Sequence, residues 1–248
     1  MHKKNIFKKI ILFLLIPIIL LIIVFFAIQK QPKILDESRI KIINKIGENY
    51  FYRGSNPYTD LYGERKFNYH KLKQAINENL QKNNQPKLDD FYLIDLNLLN
   101  IDNYFQIQSE SNFFNQYPRL GEVIQHSEIN PKLLLMPFYQ NPLIYKFTKD
   151  YHENLDNLIA QIHEILSNPL HKPIIIYAHC NAGRDRTGLI SAGYRMRYQN
   201  MTLKQAINQN IIDVNRSSES FLEDAIIAYC NYLLKNNLIK NSDNQCAL

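Results

Sequence analysis

Three cysteines in 248 residues are too few to staple a small fold. Cys180, Cys230 and Cys246 form no paired framework and no C-x-x-C spacing, which excludes a disulfide scaffold and a zinc module. Cys230 sits in an amphipathic stretch and reads as a small buried hydrophobe, while Cys246 lies in a polar tail. There is no internal repeat and no low-complexity block, although Asn, Lys and Ile are abundant. A real excess of one charge sign is missing too. The formal net charge is +6, but setting aside Lys3, Lys4, Lys8 and Lys9 leaves 25 basic residues against 23 acidic ones. A field that binds polyanions such as nucleic acid is therefore not supported.

What is present divides the chain. Residues 10–28 are an unbroken apolar run behind the basic flank 1–9. At roughly 1.5 Å per residue such a helix just crosses a hydrocarbon core of about 30 Å. The run exceeds the roughly 7–15 apolar residues of a signal peptide and exits through Phe25-Phe26-Ala27-Ile28-Gln29, a poor cleavage site. The expectation is an uncleaved single-pass anchor. Its lysine flank favours a cytoplasmic N-terminus and an extracytoplasmic, periplasmic-side catalytic domain. A polar stem (29–40), one domain (41–240) and a polar tail (241–248) follow.

Within that domain, strand and helix patterns alternate. Strands are expected at 50–52, 91–96, 133–137 and 173–178, all short apolar runs. The first closes in the turn-like Gly54-Ser55-Asn56-Pro57. Helical spacing covers 70–81, 150–166, 187–198, 202–212 and 219–234, with Asp150 and Glu153 placed as a capping box. The expected fold is α/β, with a central, mainly parallel sheet flanked by helices.

The strand at 173–178 runs into His179-Cys180-Asn181-Ala182-Gly183-Arg184-Asp185-Arg186-Thr187-Gly188. Five residues separate a thiol from a guanidinium. Gly183 lets successive N–H groups curl around an anion, and the helix behind aims its positive end at the same point. Arg186 can clamp two phosphate oxygens in a fork. The same field favours the Cys180 thiolate. Asn181, Ala182, Gly183 and Arg184 thus form a phosphate-binding loop around a nucleophile that would make a phosphocysteine intermediate. Thr187 is placed to hydrogen-bond the sulfur and help it leave. His179 is read as a buried residue steadying the loop. No metal or other cofactor is called for, and no metal ligand set is visible.

This segment resembles the H-C-x5-R-[S/T] signature of the protein tyrosine phosphatase superfamily, in a strand–loop–helix context that suits it. Tyr52-Arg53-Gly54-Ser55-Asn56-Pro57 and residues 91–96 are similar to two further segments of compact dual-specificity-like members. Asn97 stands where those members usually carry arginine. The chain has no tryptophan, so the Trp-Pro-Asp acid loop of receptor-type members is absent. The resemblance implies phosphorylated proteins or phosphoinositides as substrates, and a carboxylic acid that protonates the leaving group. The loop where that acid usually sits, residues 136–142, contains none. Two candidates remain. Asp150 has the right sequence distance. Asp185 lies in Gly183-Arg184-Asp185-Arg186, which resembles the core of bacterial tyrosine/lipid phosphatases and myotubularins. A basic residue at Arg184 tends to accompany phosphoinositide substrates.

Other functions are weaker fits. A catalytically weak phosphate-binding module is consistent with the missing acid but not with an intact Cys180 and Arg186. An arsenate reductase needs nearby partner cysteines, and a sulfurtransferase has no use for the Arg186-Thr187 pair.

Overall fold

Three consecutive isoleucines followed by Tyr177 and Ala178 are stable only where both faces of a strand are covered. In the computed structural model, residues 174–179 take that place. The structure describes residues 33–61, 64–126, 142–168, 171–217, 220–240 and 245–248, with six isolated positions between 16 and 24. Strand β7 (Ile174–His179) is buried at every position. It is the middle of a five-stranded sheet of order β1-β2-β7-β5-β6. Strands β2 (Asn49–Gly54), β5 (Tyr92–Asn97) and β6 (Gly121–Gln125) run parallel within this sheet, and β1 (Lys41–Ile46) is the one antiparallel edge.

The period of two divides the core. Phe51, Ile94, Leu96, Ile174, Ile176 and Ala178 point to one face, and Tyr50, Tyr52, Leu93, Ile175 and Tyr177 to the other. Helices α1 (Tyr69–Lys82) and α2 (Tyr104–Gln116) cover the second face. Helices α3 (Pro142–Ser167), α4 (Asp185–Tyr198), α5 (Leu203–Val214) and α6 (Ser220–Lys235) cover the first. Each fully buried isoleucine contributes roughly 1.5–3 kcal/mol. The expected α/β class and mainly parallel sheet are what the structure has. Strand β1, the hairpin β3 (Tyr58–Leu61) and β4 (Glu64–Phe67), helix α2 and β6 were not legible in the sequence. The expected strand at 133–137 lies outside the described residues.

Three expectations need correction. Helix α3 starts at Pro142, so Asp150 and Glu153 lie inside it and do not form its N-terminal box. Proline at the first helical position starts the helix eight residues early. The capping box that does form is at α5, where Thr202 accepts from Gln205 N and the Gln205 side chain accepts from Thr202 N.

The single-pass anchor at 10–28, with its extracytoplasmic catalytic domain, is the second correction. Among the described residues no helix is long and apolar enough to cross a membrane. Helix α3 has 26 residues but carries Lys146, Lys149, Asp150, Glu153, Asp156 and Glu164, too many charges for a span. Residues 10–28 lie, but for those six positions, outside the described residues.

The third correction concerns Cys230, expected to be a simple buried hydrophobe. It is joined to Cys246 in a disulfide, with Cα atoms 5.8 Å apart. Gln245 brings the tail back, its carbonyl accepting from Leu203 N at 2.9 Å and its amide donating to Met201 O at 3.0 Å. Closing a 16-residue separation is worth about 3 kcal/mol. Cys246→Ser should therefore lower the unfolding free energy by about that amount in urea titration. A reductant should produce the same loss in wild type and none in the variant.

Candidate active site

The loop from Cys180 to Arg184 leaves the C-terminal end of β7, a strand with parallel neighbours on both sides, and feeds α4. Gly183 has φ +64°, and a Cβ there would come within 2.4 Å of Gly54 O. Only glycine fits both the left-handed backbone and the close approach. Arg184 follows in the right-handed region, and this pairing of hands makes consecutive N–H groups converge on one point.

Cys180 lies at the base of the loop, 5% exposed. Burial alone would push its thiol up. The Arg186 charge, the Thr187 hydroxyl and N–H, and the Ala182 N–H outweigh burial and hold it below the usual thiol value. Thr187 is fully buried beside the sulfur. Arg186 donates from Nη1 to Leu98 O and, at 3.2 Å, to Asn100 Oδ1. The segment after β5 thus orients the guanidinium. Asn181 and Ala182 form the half-exposed rim, and Asn181 Oδ1 accepts from Lys33 N at 3.1 Å. Arg184 and Asp185 line a pocket beside the loop with Arg53, Asn210, Arg216 and Ser217. Asp185 opens the first turn of α4 and makes no ion pair among the described residues. The structure therefore brings Cys180, Asn181, Ala182, Gly183, Arg184, Asp185, Arg186 and Thr187 together. Asp150 lies within α3, at a position whose side chain is outside the described residues.

Beneath the loop, His179 is buried with Asp95 and Glu110. Its Nε2 is 2.9 Å from Asp95 Oδ1 and 3.5 Å from Glu110 Oε2. Burial would lower the imidazole pKa, but the two carboxylates override it and hold the ring protonated. Burial pushes Glu110 up as well, against the pull of His179. Ligand atoms of the three residues lie within 4.8 Å of one another, a spacing that could hold a metal ion and that the sequence did not reveal. The imidazolium already supplies the cluster's positive charge.

A second buried group lies on the α5 side. Arg53 donates from Nη1 to Asn210 Oδ1 at 2.7 Å and pairs with Asp213 Oδ2 at 3.1 Å. Arg195 reaches the same two acceptors at 3.1 and 2.7 Å. Sequence reasoning used Arg53 only as part of a resemblance and did not single out Asp95 or Glu110. For Arg53 and Asp95 there was a signal: each is a charge inside an apolar strand run, and a buried charge needs a partner.

Alkylation of Cys180 by iodoacetamide should titrate with a midpoint below that of an ordinary cysteine. Its rate should fall as pH drops through that lowered midpoint. In Arg186→Ala the midpoint should move up, because burial remains while the compensating charge is lost. Equal midpoints would contradict this electrostatic account.

The description "Tyrosine phosphatase family" belongs to the family model that matches residues 121–195. A search of curated proteins finds no match. Among solved structures, the chain is similar to a leucine-rich-repeat and phosphatase-domain protein from Entamoeba histolytica, at 13% identity and TM-score 0.42, covering 81% of this chain and 96% of that one. It is also similar to the catalytic core of the PP-IP phosphatase SIW14 from S. cerevisiae in complex with citrate, at 19% identity and TM-score 0.40, covering 85% and 96%. A third is PTPMT1 in complex with PI(5)P, at 13% identity and TM-score 0.41, covering 78% and 97%. At these scores the likenesses carry no weight beside the loop and the family match. The matched stretch contains β7, the whole cysteine loop and most of α4, so the family match falls on the residues that carry the signature and is consistent with the protein tyrosine phosphatase superfamily.

Proposed function

We propose that the protein is a phosphatase that hydrolyses phosphomonoesters through a phosphocysteine intermediate on Cys180. The observation that carries this reading is a buried sulfur, favoured as thiolate by Arg186 and Thr187, at the centre of a loop of inward N–H groups. The phosphate dianion would sit in that loop with two oxygens in the Arg186 fork. The thiolate attacks phosphorus, a P–S bond forms and the P–O bond to the leaving group breaks. Asp185 is the proposed proton donor to the departing oxygen, since it borders the loop and no ion pair among the described residues holds it. Water then cleaves the P–S bond, Asp185 takes back a proton, and Thr187 stabilises the departing sulfur.

Phosphotyrosine or dual-specificity protein substrates and phosphoinositides both fit this chemistry. The presence of Arg184 beside the loop supports the more highly charged phosphoinositides. The second reading, a phosphate-binding module of weak catalytic power, draws on the lack of any carboxylate in residues 136–142, a segment that, but for Pro142, lies outside the described residues.

Full-length wild type and Cys180→Ser should be compared on phosphotyrosine peptides, phosphoserine peptides and a phosphoinositide panel. Wild type is expected to release phosphate and Cys180→Ser to lose all turnover. Equal rates would exclude the enzyme. Asp185→Asn should slow alkyl phosphates by about 100-fold, the scale of a general acid. Nitrophenyl phosphate, whose leaving group needs no proton, should lose only a few fold. Equal losses on both would assign Asp185 a structural role.

A further inference from the structure

A trans peptide unit is planar, so holding its carbonyl one way turns the next N–H the opposite way. Three successive carbonyls of the loop have donors behind them. Ala182 O accepts from Arg39 Nη1. Gly183 O accepts from Arg53 Nη2 at 3.0 Å, and Arg184 O, which takes the first bond of α4 from Gly188 N at 2.7 Å, lies 3.5 Å from the same nitrogen. The N–H groups that follow these carbonyls belong to Gly183, Arg184 and Asp185, the stretch between the thiol and Arg186. We infer that Arg39 and Arg53, both outside the signature, are positioning residues that clamp these carbonyls outward and aim the three N–H groups at the bound phosphate.

This rests on the reading of the loop as a phosphate cradle. Neither arginine touches the reacting atoms. Arg53 works from beneath. It is fully buried and shares Asp213 and Asn210 with Arg195, so two guanidiniums meet one carboxylate. Excess buried positive charge is costly unless an anion is near, and the anions available are the Cys180 thiolate and the phosphate above it. The Cys180 sulfur favours the Arg53 charge in turn, after burial, Asp213 and Arg195 have had their larger effects.

Arg39 works from the outer side, in the segment expected to be a polar stem. That segment is docked. Leu35 N donates to Tyr58 O at 2.8 Å, Asp36 N donates to Ser55 Oγ at 2.7 Å, and Lys33 N reaches Asn181. Asp36 then holds Arg39 Nε at 2.8 Å, which points Nη1 at Ala182. The guanidinium is pre-oriented by its own turn, the 3-10 helix Glu37–Arg39. With 26% of its side chain exposed, Arg39 can be replaced without opening the core.

The test is calorimetric titration of the full-length protein with inorganic phosphate, which reads the cradle without turnover. Arg39→Ala should weaken phosphate binding about tenfold, the worth of one hydrogen bond to a charged group, with the thermal midpoint unchanged. Arg39→Lys, which keeps one donor within reach of Ala182, should recover most of that loss. Arg53→Lys, which cannot span Gly183, Asn210 and Asp213 together, should weaken binding at least as much. Phosphate affinity within twofold of wild type in Arg39→Ala overturns the clamp. So does a loss that Arg39→Lys fails to recover. Wild type that binds no phosphate overturns both the clamp and the cradle beneath it. Wild type that binds phosphate but hydrolyses no monoester sinks the enzyme reading alone and leaves the clamp standing.

Discussion

A thiolate buried at the end of a parallel strand must be stabilised by something other than water, and most of this structure is arranged around that requirement. Cys180 is nearly inaccessible, and burial by itself would keep it a neutral thiol. Arg186, Thr187 and the loop N–H groups outweigh burial and bring the thiol below its usual value. From the side, α4 points its N-terminus at the loop, the end that carries partial positive charge. Beneath lies a pair of arginines that one aspartate cannot neutralise. A site built this way is also suited to a phosphate dianion, because the geometry that holds one anion receives the next.

The cost of so much positive charge is carried elsewhere in the fold. His179 precedes Cys180, and its protonated ring is enclosed by Asp95 and Glu110. That cluster continues through the Asn97 side chain, which donates to Glu110 and accepts from Leu99 N at 2.8 Å. Leu98 and Asn100 in turn receive Arg186. One polar chain thus ties the strand end, the segment after β5 and Arg186 into a single unit.

The loop, its strand and its helix were legible because the information is local: β-branched residues, a glycine, and a helical repeat in sequence order. Helix α5 was legible for the same reason, ending within two residues of its expected limits. Residues that support the loop from afar were not. Arg39 meets Ala182 across 143 positions, Arg53 meets Gly183 across 130, and Asp95 meets His179 only because β5 and β7 are neighbours. The disulfide was missed because nothing in a polar tail announces that it folds back through Gln245. Asp150 misled for the opposite reason. A capping pattern is a local signal, and the helix began earlier than the pattern suggested.

The central claim is that the Cys180 sulfur itself attacks phosphorus. Its most direct test is to mix the full-length protein with a rapidly turned-over aryl phosphate, quench in acid within milliseconds and map the label by mass spectrometry. The account predicts a phosphoryl group on the peptide that contains Cys180, abolished by Cys180→Ser. Phosphate release in the steady state with no phosphocysteine at any quench time, or with the label on another residue, would contradict it.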